Sequence, residues 1–259
     1  MVLPLDHLLV LVLAVLFPIR AATFGYRRLK QAAEADVPRA RLALYRQIIR
    51  VQWLLVALVA ALWIWQGRSW LALGFSLRQS PGMLVSSTFV VAFVAAAFLQ
   101  WYKLRNSEKA WAGVRNRVSE FERIMPRTPE DLRWFAGVSV TAGICEEFLY
   151  RAYLLWYLGH WMNIVLAIAV ASVIFGVGHF YQGPRGMVRT GVVGAVMAIL
   201  YRISGSIFPG MLAHVFIDIY SGRMVYEAYQ RAPRAAPAGD PAAAAADPAP
   251  PAASAATEV

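Results

Sequence analysis

Six ionisable side chains, five of them able to carry acid–base chemistry, lie in otherwise apolar stretches of the C-terminal half of the sequence. A charged side chain at the centre of a membrane-spanning helix costs about 2.5 to 3.5 kcal/mol. The first three apolar stretches contain nothing comparable, so the cost is concentrated in one half of the chain and indicates a use. Carboxylates and imidazoles take a proton from water and return it. The six residues are Glu146, Glu147, Arg151, His179, His214 and Asp218.

Helical spacing predicts how these side chains are grouped. Glu147 and Arg151 are four residues apart, about one turn, so they can form an ion pair on one face. Glu146 is rotated by about 100° from Glu147 and is predicted to point into a cavity with the histidines. His214 and Asp218 are also one turn apart, so both can face the same point.

Two alternatives concern single residues. Cys145 precedes Glu146 and raises the idea of a cysteine nucleophile, but a cysteine in an apolar helix is usually a small packing residue. A lone histidine near a helix end is often structural, and His179 taken alone fits that interpretation equally well. The functional interpretation therefore depends on the whole set of residues.

The elements that must position these residues are apolar helices. The chain has 259 residues, of which 59% are hydrophobic and 15% charged, whereas soluble domains are about a quarter charged. Several apolar blocks approach the roughly 20 residues that cross a bilayer as a helix. We predict an all-α polytopic transmembrane bundle with about seven spans. The expected spans are Leu8–Ala22, Ile48–Trp65, Met83–Tyr102, Trp134–Leu158, Met162–Gly178, Met187–Arg202 and Ile207–Gly222.

The positive charges predict the orientation in the membrane. The connections 20–50 and 103–133 hold eight Lys and Arg residues each, whereas 66–82 holds two. Loops rich in Lys and Arg remain in the cytoplasm. We therefore expect an inner-membrane protein with its N-terminus outside and its C-terminus in the cytoplasm. The positive residues behind the net charge of +10 cluster in these loops, so they are explained by the orientation. No nucleic-acid partner is expected.

The third connection predicts an amphipathic basic helix, because apolar residues recur among Lys and Arg. This helix either lies on the inner membrane surface or packs under the bundle, and the sequence favours neither. Its apolar residues are Trp111, Val114, Val118, Phe121 and Ile124.

Three regions follow from these patterns. Residues 1–133 hold the N-terminal spans and the basic loops, and residues 134–222 hold the candidate catalytic helices. Residues 223–259 form a cytoplasmic tail, which from Ala232 onward consists of Ala, Pro and a few acids and is expected to be disordered. The Ala- and Arg-rich composition with its Pro-rich tail is typical of a bacterial protein.

Residues 134–222 resemble the CPBP family, the CAAX-protease and bacteriocin-processing intramembrane proteases. The resemblance is carried by Glu-Glu-x-x-x-Arg, Phe-x-x-x-His and His-x-x-x-Asp, in that order on successive apolar stretches. It implies that Glu146 is the base that activates a water, supported by Glu147 and Arg151. It also implies that His179 and His214 bind or polarise the water and the scissile carbonyl. Asp218 lies alongside them, and Phe175 helps to shape the cavity.

The last motif residue bears on metal dependence. Eukaryotic prenyl-protein proteases have Asn where this chain has Asp218, and a neutral Asn can donate a hydrogen bond to an oxyanion, whereas an ionised Asp cannot. Two histidines with one or two carboxylates would also satisfy zinc with an open position. We favour a mechanism without a cofactor, because no single helix carries a His-Glu-x-x-His pair. The alternative zinc ligands are Glu146, His179, His214 and Asp218.

The predicted function is an intramembrane endopeptidase that cuts a membrane-associated protein or peptide, with membrane lipid as its surroundings. Two alternatives are a catalytically silent scaffold of the same fold and a proton- or cation-coupled transporter. A transporter predicts polar residues through many spans and internal repeats, neither of which is found. A scaffold gives no reason to keep all the catalytic residue types together.

Overall fold

The structure is a computed structural model that describes residues 2–16 and 26–231, and within these ranges the regular structure is helical, without strands. The α-helices are α1 (Pro4–Leu11), α2 (Arg27–Gln31), α3 (Val37–Trp65), α4 (Pro81–Leu104), α5 (Glu108–Arg117), α6 (Pro129–Glu146), α7 (Leu155–Leu158), α8 (Ile164–Gly178), α9 (Gly183–Ser204) and α10 (Phe208–Gln230). Val12–Leu16 continues α1 as a π-helix, and the π-helix Glu147–Leu154 joins α6 to α7. Short 3₁₀ segments are Glu34–Asp36, Trp70–Leu73, Ser119–Ile124 and Phe180–Gln182.

The all-helical prediction is confirmed, but the count of seven spans is not. Three helical segments of the described chain are long and apolar enough to cross a membrane, namely Glu34–Trp65, Pro81–Leu104 and Phe180–Ser204. Pro4–Leu16 and Ile164–Gly178 are apolar but shorter. Helices α6 and α10, which bear Glu146 and the pair His214–Asp218, are not among these segments.

Two predicted boundaries need correction. Helix α3 begins at Val37 rather than at Ile48, so part of the predicted basic loop is helical. Its first turns are held to the bundle by Arg41, which is buried and pairs with Asp131 at 2.7 Å between Nη1 and Oδ2. Helix α10 ends at Gln230 rather than at Gly222. The second half of the first predicted span and the tail from Ala232 lie outside the described residues.

Small residues set the close approach of the C-terminal helices. A Cβ on Gly143 of α6 would lie 2.7 Å from the backbone nitrogen of Val215 in α10. At the other end of the same pair, a Cβ on Gly222 would overlap the ring of Phe135. Glycine at such positions lets two helix backbones approach closely. The pairing shows that α6 and α10 run antiparallel.

Helices α3 and α6 run parallel to each other. The contact of Arg41 with Asp131 lies near the start of both helices, and Trp53 Nε1 donates to Thr141 Oγ1 at 3.3 Å further along both. The parallel directions of α3 and α6 therefore agree with the loop charges, which predict that both helices start on the cytoplasmic side.

The amphipathic segment of the third connection packs under the bundle, which is the second of the two interpretations. Trp111 of α5 is fully buried against Met224 and Ala228 of α10. Arg115 Nη1 donates to the carbonyl oxygen of Ala228 at 2.7 Å. The apolar face of the segment is thus covered by protein, because α10 extends eight residues beyond its predicted end.

A buried polar cluster holds α1 in place at the opposite end of the bundle. Asp6 is fully buried and accepts hydrogen bonds from Arg68 Nη1 at 2.8 Å and from Tyr153 Oη at 3.0 Å. The Arg68 guanidinium lies 5.1 Å from the ring of Trp63 and 4.6 Å from that of Trp156. A buried charge is tolerated when it is paired and hydrogen-bonded, so this cluster fixes α1 against the π-helix.

Candidate active site

Glu146, the last residue of α6, is buried and lies between three helices. Its Oε1 accepts a hydrogen bond from Gln52 Nε2 of α3 at 2.7 Å. Its Oε2 is buried without a hydrogen-bond partner among the described residues. The nearest imidazole nitrogens to Oε2 are Nε2 of His214 at 3.8 Å and Nε2 of His179 at 4.0 Å. One carboxylate oxygen is therefore held and the other is left facing two imidazoles.

Both imidazoles are oriented by a hydrogen bond at the opposite ring nitrogen. His214 Nδ1 lies 2.8 Å from Glu147 Oε1, and His179 Nδ1 lies 2.9 Å from the carbonyl oxygen of Phe175. A carboxylate and a carbonyl only accept hydrogen bonds. Each Nδ1 therefore carries a proton, and both Nε2 atoms are turned toward Glu146. The prediction that Glu146 shares a cavity with the histidines agrees with this geometry.

The ion pair predicted from the spacing of Glu147 and Arg151 is present. Arg151 Nη1 lies 3.2 Å from Glu147 Oε1, and the two side chains are 3% and 1% exposed. The guanidinium sits over the ring of Phe175, with Cζ 4.0 Å from the ring centroid. In this position the Arg151 guanidinium forms a close charge pair with Glu147, but neither Nη1 nor Nη2 makes a well-directed hydrogen bond. The glutamate therefore has two partners, since it also accepts from His214.

The spacing predicted the pairing of Glu147 with Arg151, and the structure adds the contact of Glu147 with His214. This contact arises because helix α10 approaches at this level, which spacing along one helix cannot reveal. Glu147 thus links the structural ion pair to an imidazole of the site.

Two glycines make room for the buried ion pair. A Cβ on Gly194 of α9 would lie 3.2 Å from Arg151 Nη2 and 3.0 Å from Phe175 Cδ1. A Cβ on Gly210 of α10 would lie 3.1 Å from Glu147 Oε2. Such distances are tighter than ordinary van der Waals contact, so a larger residue at either position would push on the charged groups.

The two adjacent glutamates stand at the junction between an α-helix and a π-helix. Helix α6 ends at Glu146, and the eight residues Glu147–Leu154 are π-helical and all buried. π-Helical turns are rare and often occur at functional sites. The predicted helix is present here, but its change of pitch is not visible in the residue pattern.

Asp218 lies beside the imidazoles without a direct hydrogen bond to them. Its Oδ2 is 3.8 Å from His214 Nε2, and its side chain is 34% exposed. It therefore adds negative charge near His214, on the same helix as predicted from the spacing.

A cavity of about 380 Å³ extends from the site to the connection between α5 and α6. Glu146, His179, His214 and Asp218 line one part of it, and most of the remaining wall is apolar or aromatic. Its lining extends to Phe121 in the segment after α5. A volume of this size lies within the range of small-molecule and peptide side-chain sites.

Cys145 is fully buried and does not line this cavity. Its neighbour Glu146 does line it, because consecutive helical residues point in different directions. This placement agrees with a packing role for the thiol.

The fit of a metal ion can be judged from the donors present. The residue types suit zinc, but within residues 2–16 and 26–231 no group of three or more His, Cys, Asp or Glu side chains is arranged to hold a metal ion. The imidazole nitrogens lie 3.8 and 4.0 Å from Glu146 Oε2. The mechanism without a metal stays a prediction.

Gln52 is the site residue that the sequence interpretation missed. It lies in the second predicted span, in a stretch that was expected to contribute nothing to the chemistry, and it is 3% exposed. The available signal was its type, because it is the one side-chain amide in the apolar run from Ile48 to Trp65.

The site thus consists of a buried carboxylate that faces two oriented imidazoles inside a bundle of apolar helices. Residues 128–220 match the family described as type II CAAX prenyl endopeptidase Rce1-like. The match covers 93 of the 259 residues and supports the resemblance of the three motifs to the CPBP, or CAAX protease, family. No curated protein and no solved structure matches the chain.

Proposed function

We propose that this protein is an intramembrane endopeptidase in which Glu146 activates a water for attack on a peptide bond of a membrane-associated substrate. The observation that carries the proposal is the state of the Glu146 carboxylate. One oxygen is held by Gln52, while the other is buried, without a hydrogen-bond partner in the described chain, and faces two imidazole nitrogens. A buried acceptor of this kind calls for a small donor such as water.

The chemistry follows from these positions. Glu146 takes a proton as the water oxygen bonds to the carbonyl carbon, and it returns that proton to the leaving nitrogen as the C–N bond breaks. Because Nδ1 of each histidine is protonated, Nε2 accepts from the water when the ring is neutral. When the ring is charged, Nε2 donates to the developing oxyanion.

Substrate access would use the apolar cavity. Its wall suits an apolar segment or a lipid-modified residue, and the matched family is named for prenylated CAAX proteins. The cavity reaches the segment after α5, which belongs to a connection rich in Lys and Arg. We therefore place its entrance on the cytoplasmic side of the inner membrane. The step proposed here uses no metal.

Terminus mapping tests this function in cells, where the substrate need not be identified beforehand. Membranes of cells that produce the wild-type chain or Glu146→Ala are compared for new protein N- and C-termini. We expect a set of termini that depends on the wild-type chain, because only it retains the base. Cleavage in purified vesicles is expected to continue in the presence of EDTA.

Equal protein levels of the two forms are the control. Identical sets of termini would contradict the protease and favour the silent scaffold. Loss of cleavage in EDTA with recovery on addition of zinc would replace the metal-free step by a metal-dependent one.

The orientation is tested by cysteine labelling in a Cys145→Ala background. Arg39 and Arg117 are exposed and lie in the connections proposed to be cytoplasmic, whereas the exposed Arg78 lies in the connection proposed to be outside. Cysteine at Arg39 or Arg117 should resist an impermeant thiol reagent in intact cells and react after lysis. Cysteine at Arg78 should react in intact cells. The reverse pattern would invert the orientation and the side from which the cavity is entered.

A further inference from the structure

The structure brings one residue into the site from outside the matched segment. Gln52 belongs to α3, whereas the family match begins at residue 128. We infer that Gln52 is a positioning residue for the reaction, which fixes the Glu146 carboxylate so that Oε2 faces the water site. The inference rests on the proposed function, because it assigns Glu146 the role of the base.

The orientation of the Gln52 amide is determined by its partner. Glu146 Oε1 lies 2.7 Å from one amide atom, and an ionised carboxylate only accepts, so that atom is the donor nitrogen. Turning the amide around would bring two oxygen acceptors together. The correct orientation leaves Gln52 Oε1 buried without a partner among the described residues. An unsatisfied buried carbonyl is destabilising, so the amide is placed here at a cost to folding.

The position of Gln52 is fixed by the packing of α3 on α6. The buried contact of Arg41 with Asp131 and the contact of Trp53 with Thr141 hold the two parallel helices in register. Gln52 precedes Trp53 by one residue, and its side chain reaches Glu146, which lies five residues beyond Thr141 on α6. An N-terminal helix thereby completes a site whose other members lie after residue 128.

The function of this hydrogen bond follows from what Glu146 would otherwise contact. The imidazole Nε2 atoms of His179 and His214 lie within 4.0 Å of Oε2. A carboxylate free to rotate could pair directly with either imidazole and would then be unable to accept a proton from water. Holding Oε1 with a neutral donor leaves Oε2 available, without adding a positive charge that would compete with the histidines.

Kinetics of Gln52 variants test the inference. Gln52→Met keeps an unbranched side chain of similar length and removes the donor, and Gln52→Asn keeps a shorter amide. The substrate is a synthetic peptide that spans the most abundant terminus found only with the wild-type chain. We expect kcat to fall roughly 10- to 100-fold for Gln52→Met, the effect of one hydrogen bond to a charged group. KM should change less than threefold, and Gln52→Asn should be intermediate.

Ser86→Ala is the matched control for loss of a buried interhelical contact. Ser86 is fully buried, donates to the carbonyl oxygen of Leu200 at 3.2 Å and does not line the cavity. This variant should keep the wild-type kcat even if its melting temperature falls. If kcat fell equally in Gln52→Met and Ser86→Ala, the loss would reflect weaker helix packing in general, and the positioning role of Gln52 would be contradicted.

Infrared difference spectroscopy gives a readout that does not require turnover. The carboxylate band of Glu146 is assigned from wild type minus Glu146→Gln, and it should shift in Gln52→Met but not in Ser86→Ala. An unshifted band with wild-type kcat in Gln52→Met would overturn the inference and leave the role of Glu146 intact. A fully active Glu146→Gln variant would instead overturn the proposed function.

Discussion

Glu146→Gln is expected to lower kcat by about 10³- to 10⁴-fold while the protein remains folded. The substitution keeps the shape of the side chain but removes the group proposed to take a proton from water, and general base catalysis contributes about 10²- to 10⁴-fold. The burial of a carboxylate with one unpartnered oxygen opposes folding. The melting temperature of Glu146→Gln in detergent should therefore equal or exceed that of the wild type.

His179→Ala and His214→Ala should show losses of similar size, because their Nε2 atoms are the only imidazole nitrogens of the described chain within 4.0 Å of Glu146 Oε2. Cys145→Ala provides the control and should stay within about threefold of wild type, since its thiol is buried outside the cavity. Retained turnover in Glu146→Gln would refute the assignment of the base. Inactivation by Cys145→Ala would point to thiol chemistry instead.

Glu147 variants are expected to separate stability from activity. Glu147→Ala leaves the buried Arg151 without its counter-charge, at a cost of about 3 to 5 kcal/mol of folding free energy, and it also removes the acceptor for His214 Nδ1. Arg151→Met removes the counter-charge of Glu147, which then keeps only the hydrogen bond from His214, and this variant should also be destabilised. Folded yield and melting temperature in detergent are the measurements.

The double variant Glu147→Ala/Arg151→Met should recover most of the stability but not the activity. Neither charge is then left unpaired, so the two losses are not additive, whereas His214 still lacks its orienting acceptor. Glu147→Gln alone should be unstable yet more active than Glu147→Ala, because the amide oxygen can accept from Nδ1. A double variant with restored turnover would show that Glu147 acts only through Arg151. Unchanged stability in Glu147→Ala would show that the ion pair contributes little.

The motif helices and the grouping of the polar residues could be predicted from the sequence. Local geometry determines that Glu147 and Arg151 share a face and that Glu146 does not, and the structure agrees. The basic residues also predict alternating helix directions, which the contacts between α3, α6 and α10 support. These features depend on spacing along one chain segment and on composition, both of which are visible in a sequence.

The contacts between distant segments could not be predicted. Gln52 reaches Glu146 across 94 residues of sequence, and His214 reaches Glu147 across 67. Such contacts depend on the rotation of each helix about its axis, which the nearly uniform apolar pattern of these helices leaves open. The start of α3 was placed too late for a related reason, because a buried ion pair between Arg41 and Asp131 resembles two solvated charges in the sequence.

The π-helix Glu147–Leu154 has a consequence for how this part of the chain tolerates insertions and deletions. A π turn closes with hydrogen bonds to the fifth residue rather than the fourth, so this stretch holds more residues per unit length than a regular helix. The π turns of this stretch therefore determine the rotation about the helix axis between two faces. One is the face of α6 that packs on α10, and the other is the face of α7 that contacts α8. Loss of one residue from this stretch would rewind it and rotate one face relative to the other, even though each remaining side chain is unchanged.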